Sequence, residues 1–322
     1  MQFRLISLAL SRSLGTRGKG IHVGWMQSIV KTNLQPLIKF KFSPRRWVRT
    51  YPTKILILFT MLLFIPLQAK ERIVALSPVI NELVFAMDRG DRVVANTQYA
   101  SYPPQSRDIA KVGGFFDVSF EAILKAKPTL VIMQHNNRKL QKRLKSFGIA
   151  SAVIKVDRLQ SIKEAIVTIG GLVDNSSKAR QIVDSMDAKL QSVANIVKNK
   201  KILMVIGESL NLHKGIFIVG HDLYLNDIIT ASGNSNAFGS KLIKQPVLNY
   251  ENIIATEADI VIVLAPYQKH SPETIKKAWL SVPIPAAQKG NIFIIDKEYA
   301  GIPSDRLVFF LKDFREILKR VE

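Results

Sequence analysis

The chain has no cysteine in its 322 residues. Disulfide staples and thiolate metal centres are therefore excluded, and so is a lipoprotein anchor, which needs a cysteine at its cleavage point. Acidic residues are missing from positions 1–69, which carry 11 Lys and Arg and no Asp or Glu. About half of the formal net charge of +21 thus sits in the first fifth of the chain. Residues 70–322 keep 35 basic and 25 acidic side chains, a surplus of ten. A nucleic-acid role inferred from the high pI loses that half of its support. There is no zinc finger, no RNP motif and no aromatic–basic platform, so the partner set excludes nucleic acid. Enzyme signatures are missing too. There is no Walker loop, no GxSxG, no HExxH and no GxGxxG after a strand, although a dispersed triad leaves no such mark. Histidine is scarce: residues 70–322 hold only His135, His213, His221 and His270, without metal-ligand spacing.

What is present begins with a run at the front. Arg45, Arg46, Arg49 and Lys54 precede a 13-residue apolar stretch, Ile55 to Leu67, within and just before "PTKILILFTMLLFIPLQAKER". That is too short for an ordinary membrane-spanning helix of about 20 residues, and its basic flank suits an export signal. Cleavage is expected after Ala69, with 51–69 as signal peptide; an uncut segment would make a membrane-tethered sensor instead. Residues 1–50 exceed the usual signal length of about 15–30 residues and read as an over-extended leader.

From Arg72 onward short apolar strands alternate with amphipathic helices, an α/β pattern. Strands are predicted at 72–76, 92–96, 129–133 and 152–156, then at 201–207, 216–219, 259–265 and 291–296. Their continuous apolar character suits parallel strands buried on both faces. Between the two sets, 176–198 has neither Gly nor Pro and carries one apolar face from Ala179 to Val197. At 1.5 Å per residue it would span about 35 Å. The expected organisation is an N-terminal α/β lobe over 70–174, a connecting helix over 175–199 and a C-terminal α/β lobe over 200–322, with a ligand cleft between the two Rossmann-like lobes.

The two halves echo each other. "SFEAILKAKPTLVIM" (119–133) aligns without a gap on "NYENIIATEADIVIVL" (249–264) at an offset of 130. A capping residue, an aromatic and a glutamate open each copy: Ser119, Phe120 and Glu121, against Asn249, Tyr250 and Glu251. Compensation of a helix dipole explains each glutamate singly, but not their matched placement.

"RIVALSPVINEL", "QYASYPPQ", "KVGGFFDVSFEAILKAKPTLVI" and "PVLNYENIIATEADIVIV" together resemble the periplasmic binding proteins of iron-chelate and vitamin B12 ABC importers, the helical-backbone class, nearest to its vitamin B12-binding branch. The resemblance covers 72–322. It implies a monomeric periplasmic carrier with no catalytic activity and no resident cofactor or bound metal of its own. Its partners would be a small-molecule metal chelate and a permease dimer with its ATPase. The loop after the second strand lies where open α/β sheets place ligands, so Tyr99 is a candidate contact, while Tyr102 is expected to pack on its own loop. Aligned on the family, the further contacts are Ser77, Phe115, Gln134, His135, Gln245, Tyr299 and Arg306. Glu121 and Glu251 take the place of the acidic residues that dock on permease arginines. An iron siderophore and a corrinoid stand level as ligands, haem comes third and zinc last. An anionic siderophore would use Arg306, with Lys241 and Lys244 behind it.

Overall fold

The computed structural model describes residues 70–240 and 246–321. The leader, the export segment, Gln245, Lys241 and Lys244 lie outside the described residues. Residues 69–322 form one compact unit.

In chain order the strands are β1 (Ile73–Ala75), β2 (Val93–Asn96), β3 (Ala110–Lys111), β4 (Leu130–Gln134), β5 (Ala150–Ile154), β6 (Lys201–Ile206), β7 (Ile216–Phe217), β8 (Ser235–Asn236), β9 (Val247–Leu248), β10 (Ile260–Leu264) and β11 (Ile292–Ile295). The helices are α1 (Pro78–Ala86), α2 (Phe120–Lys125), α3 (Leu140–Ser146), α4 (Leu159–Leu172), α5 (Ser176–Gln191), α6 (Tyr224–Ala231), α7 (Tyr250–Ile254), α8 (Pro272–Leu280), α9 (Pro285–Gln288) and α10 (Leu307–Leu318). One parallel sheet has the order β3-β2-β1-β4-β5 and the other β11-β10-β6-β8. A small antiparallel pair, β7-β9, sits beside the second.

The central strands β1, β4 and β10 are almost wholly apolar because both faces are covered. On β10, Ile260, Ile262 and Leu264 enter one core while Val261 and Val263 enter another. On β4, Leu130 and Ile132 face the first of these, and Val131 and Met133 a third. The period-2 alternation thus separates two apolar environments rather than core from water. The middle core is continuous from the first sheet to the second. It takes in Leu83, Ile166, Ile169, Met186, Ile228 and Phe310, carried by α1, α4, α5, α6 and α10.

The connection between the lobes is broader than one helix. The stretch expected to be helical over 176–198 is helical only for Ser176–Gln191, about 24 Å. Beyond it Asn195 and Asn199 turn to positive φ. Their backbone N–H groups donate to the Ser232 and Gly233 carbonyls, which ends the helix by tying it to the second lobe. The helix α4 runs beside α5 and went unpredicted. An added Cβ on Gly170 would come within 2.4 Å of the Ala179 Cβ, so glycine there permits the close approach of the two helices. Arg158, at the start of α4, grips Asp227 of α6 through Nε, 3.0 Å from both carboxylate oxygens, and Leu159 N donates to the same carboxylate at 2.9 Å. At the other end of α4, the carbonyls of Val173 and Asp174 accept from Arg89. Two helices therefore cross the seam, and α10 packs on it as well.

A buried ion pair crosses it too. Glu82 on α1 is 2% exposed and Arg306, just before α10, 5%. Arg306 Nε donates to Glu82 Oε2 at 2.9 Å, Nη2 donates to Oε1, and Ser304 Oγ donates to Oε2. Removing one member of such a pair strands the other in low dielectric, at a cost of about 3–5 kcal/mol. Arg306→Ala is expected to lose stability in that range by denaturant titration followed on buried Trp279, the single tryptophan of 70–322. An Arg306→Leu/Glu82→Leu double variant is expected to recover much of the loss.

Candidate functional site

Ligand-ready surface in open parallel sheets lies beyond the carboxyl ends of the strands, at the point where strand order reverses. In the second sheet that point is β6, with β8 on one side and β10 on the other. A cavity of about 440 Å³ opens there, lined by Gly207 and Glu208 after β6, by Pro266, Tyr267 and Gln268 after β10, and by Leu223 and Tyr224 at the start of α6. Tyr267 is 72% exposed. Glu208 holds its loop: the carboxylate accepts from Lys269 N at 2.6 Å and His270 N at 3.2 Å. Burial pushes the Glu208 carboxyl up, but these N–H groups and His270 outweigh it and hold it below the usual range.

In the first sheet a cavity of about 430 Å³ lies beyond β4 and β5. Phe115, Gln134, His135, Asn136, Lys155 and Asp157 are among its lining residues. Asn136 and Asn137 donate to the Phe115 carbonyl at 3.0 and 3.1 Å and fix the "GGFFD" turn against the end of β4. Phe115 meets Phe116 edge to face, with centroids 4.8 Å apart.

The loop "QYASYPPQ" is held from below by a buried polar network. Asn81 Nδ2 donates to Tyr102 O at 2.8 Å and to Ser106 Oγ at 2.7 Å. Asn96 Nδ2 donates to Asn81 Oδ1, and Lys111 Nζ to Asn96 Oδ1 at 2.7 Å. With the loop pinned, Tyr99 is left 65% exposed at the end of β2. A rigidly mounted exposed ring gives a ligand much contact area for little entropy.

Of the residues expected at the cleft, Phe115, Gln134 and His135 come together in the first-lobe cavity, and Tyr99 stands free at its strand end. Ser77 is corrected: it has no exposed surface, and its hydroxyl caps α1 by accepting from Ile80 N at 3.2 Å. Tyr299 is half-buried and already partnered. Its hydroxyl donates to Asp313 at 2.5 Å and its ring faces Phe309. Burial and the adjoining Asp313 raise its pKa far above the ordinary phenol value. Arg306 is turned to Glu82 rather than to a ligand, with Glu298 at 4.0 Å as a lesser partner. Tyr102 does not stay with its own loop, because its ring lies 3.8 Å beneath the Arg306 guanidinium. Gln245 falls outside the described residues.

Sequence reasoning missed Tyr267, Glu82 and Asn81. The repeat could have found Tyr267: the residues chosen after β4 have counterparts after β10, where "APYQ" follows "DIVIVL". Glu82 looked like an ordinary helix-face carboxylate, since its partner is 224 positions away.

The comparisons agree with the fold. The model of the family "Periplasmic binding protein" matches residues 73–299. The chain belongs to that family. This periplasmic binding protein is 22% identical over 244 residues to the vitamin B12-binding protein of Vibrio parahaemolyticus, covering 73% of this chain and 85% of the relative. Among solved structures, the vitamin B12-binding protein of Vibrio cholerae matches with a TM-score of 0.65 and 20% identity, over 77% of this chain and 96% of that one. A haem-binding protein of Vibrio cholerae matches with 0.66 and 21%, over 78% and 99%. These likenesses are to two-lobed binding proteins.

Two expectations follow for this binding protein. Tyr267→Ala, and independently Tyr99→Ala, weaken ligand binding by titration calorimetry while leaving the melting curve in place, each ring being worth about 0.5–1.5 kcal/mol beyond its buried area. The second concerns Asp305, which lines a cavity of about 320 Å³ with Glu82 and Tyr102. Burial, then the charge of Glu82, push its carboxyl up from 3.8 to about 6. The folded state therefore binds the proton more tightly than the unfolded state, and ionising Asp305 costs stability as pH rises from about 4 through 6. The ceiling on that cost is roughly 3 kcal/mol. Asp305→Asn is expected to flatten this part of the stability–pH curve and to raise the Tm at pH 7–8.

Proposed function

We propose that the protein is the periplasmic solute-binding component of an ABC importer. In this reading it captures a metal chelate between the two strand-end cavities and delivers it to a membrane permease dimer served by an ATPase. The observations that support the ligand class are two strand-end cavities, of about 430 and 440 Å³ and one on each lobe, the exposed ring of Tyr267 lining the second, and the exposed ring of Tyr99 at the end of β2. Exposed rings at strand ends suit a broad, partly apolar ligand better than a small ion. Arg306, the cation expected to meet an anionic siderophore, is neutralised by Glu82, which leaves Lys155 as the one Lys or Arg among the described residues lining the two cavities and favours a corrinoid over a siderophore. Haem is the second reading: His135 and Tyr99 are exposed and chemically able to ligate its iron, and several of the similar structures are named for haem binding. The test is the visible spectrum of protein recovered from the periplasm of cells supplied with cobalamin, haem or ferric siderophore. A corrinoid spectrum supports the first reading and a Soret band the second; a colourless protein after all three would overturn both.

Export by residues 51–69, with a mature, monomeric protein starting near Lys70, belongs to the same reading. Docking is assigned to Glu121 and Glu251. Each follows the first residue of a short capped helix, α2 behind Ser119 and α7 behind Asn249. The strands that follow, Leu130–Gln134 and Ile260–Leu264, keep the offset of 130. Both glutamates are exposed and neither makes an ion pair with a described residue. Two matched charges on a rigid body can read a two-fold partner. Glu121→Lys combined with Glu251→Lys is expected to abolish uptake through the permease while ligand affinity and Tm stay nearly constant. If both charges served only the helix dipoles, uptake would persist and stability would fall by about 0.3–1 kcal/mol per site.

A further inference from the structure

The basic surplus of the folded part is concentrated. Residues 122–156 hold eight Lys and Arg and no Asp or Glu, so eight of the ten surplus charges of 70–322 fall within 35 residues. Asp117 and Glu121 bound the stretch on one side and Asp157 on the other. All eight, Lys125, Lys127, Arg138, Lys139, Lys142, Arg143, Lys145 and Lys155, are exposed. None makes an ion pair with a described residue, whereas the second lobe and the seam hold many such pairs. Five of the eight lie on α3 or within two residues before it. This short helix buries Leu144 and turns its cations to solvent.

Its neighbour is the helix that carries Glu121. Arg143 stacks 3.9 Å over the ring of Phe120, and Phe147 meets the same ring with centroids 5.4 Å apart. Phe147 is itself 59% exposed. An unpaired cationic helix ending in an exposed aromatic is the combination that holds a protein at an anionic lipid surface, where headgroups draw the charges and the ring enters the interface.

We infer that the α3 face of the N-terminal lobe binds the anionic phospholipid surface. The inference rests on the importer reading only in setting this face beside a membrane. Binding through it adds a broad, salt-sensitive attraction that holds the carrier near the bilayer and leaves orientation to the glutamates.

The test is co-sedimentation of the periplasmic protein with vesicles of phosphatidylglycerol and phosphatidylcholine, against phosphatidylcholine alone. Binding is expected only to the anionic vesicles, falling as salt rises. Lys139→Gln, Lys142→Gln and Lys145→Gln together are expected to weaken it by about tenfold or more, and Phe147→Ser to weaken it further. A control with Lys277, Lys289 and Lys312 all changed to Gln removes equal charge from the other lobe and is expected to bind as the parent does. No binding to anionic vesicles, or equal loss in both triple variants, would overturn the inference. So would loss of permease binding by the α3 variant without any vesicle binding, because the face would then read an acidic protein. Vesicles contain no permease, so failure of the Glu121 and Glu251 docking would leave this result standing.

Discussion

The interaction on which the rest of the architecture depends is the buried pair between Glu82 and Arg306. It joins a helix of the first sheet to the entry of the last helix, 224 residues later, with Ser304 taking a third position on the same carboxylate. The Tyr102 ring then closes over the guanidinium, so the loop that presents Tyr99 is fastened to the second lobe as well as to its own network. A lone charge at this depth would be costly, and the paired arrangement is tolerable only while both lobes hold their places. The pair therefore works as a condition on lobe geometry, and the continuous core along α4, α5 and α10 supplies the apolar energy that satisfies it.

That geometry determines what the strand ends can do. The cavities beyond β4 and β10 belong to lobes that share one continuous core and a buried ion pair. The ion pair also removes from the cleft the arginine that the sequence seemed to offer an anionic chelate. What remains is aromatic and amide surface with the His135 imidazole, Lys155 and the carboxylates Glu208 and Asp157.

The long buried strands were legible because both-face burial produces unbroken apolar runs, and those runs mark β4, β6 and β10 to within two residues. The repeat at an offset of 130 was legible because caps, helices and strands share local chemistry. Two things were not. The helix α4, with Gly170 and Gly171 in its pattern, resembles a weak helix until the packing against Ala179 is known. Continuation of α5 past Gln191 was expected because no Gly or Pro intervenes, yet tertiary hydrogen bonds to Ser232 and Gly233 end it. In the site, Tyr99, reached by strand-end logic, is exposed at the end of β2, and Phe115, Gln134 and His135, reached through the family resemblance, line one cavity. Ser77, Tyr299 and Arg306 also follow strands, but local capping, Asp313 and Glu82 claim their polar groups.

The most direct test of the clamped-lobe account uses the absence of cysteine, which lets two spin labels be placed without background. Labels at Lys145→Cys in the first lobe and Lys289→Cys in the second report the distance between lobes by electron double resonance. A single narrow distribution is expected for the parent, broadening when Arg306→Ala and Asp227→Asn are added together. A distribution that is already broad in the parent, or one that keeps its width without both contacts, would contradict the claim that these ion pairs set the lobes.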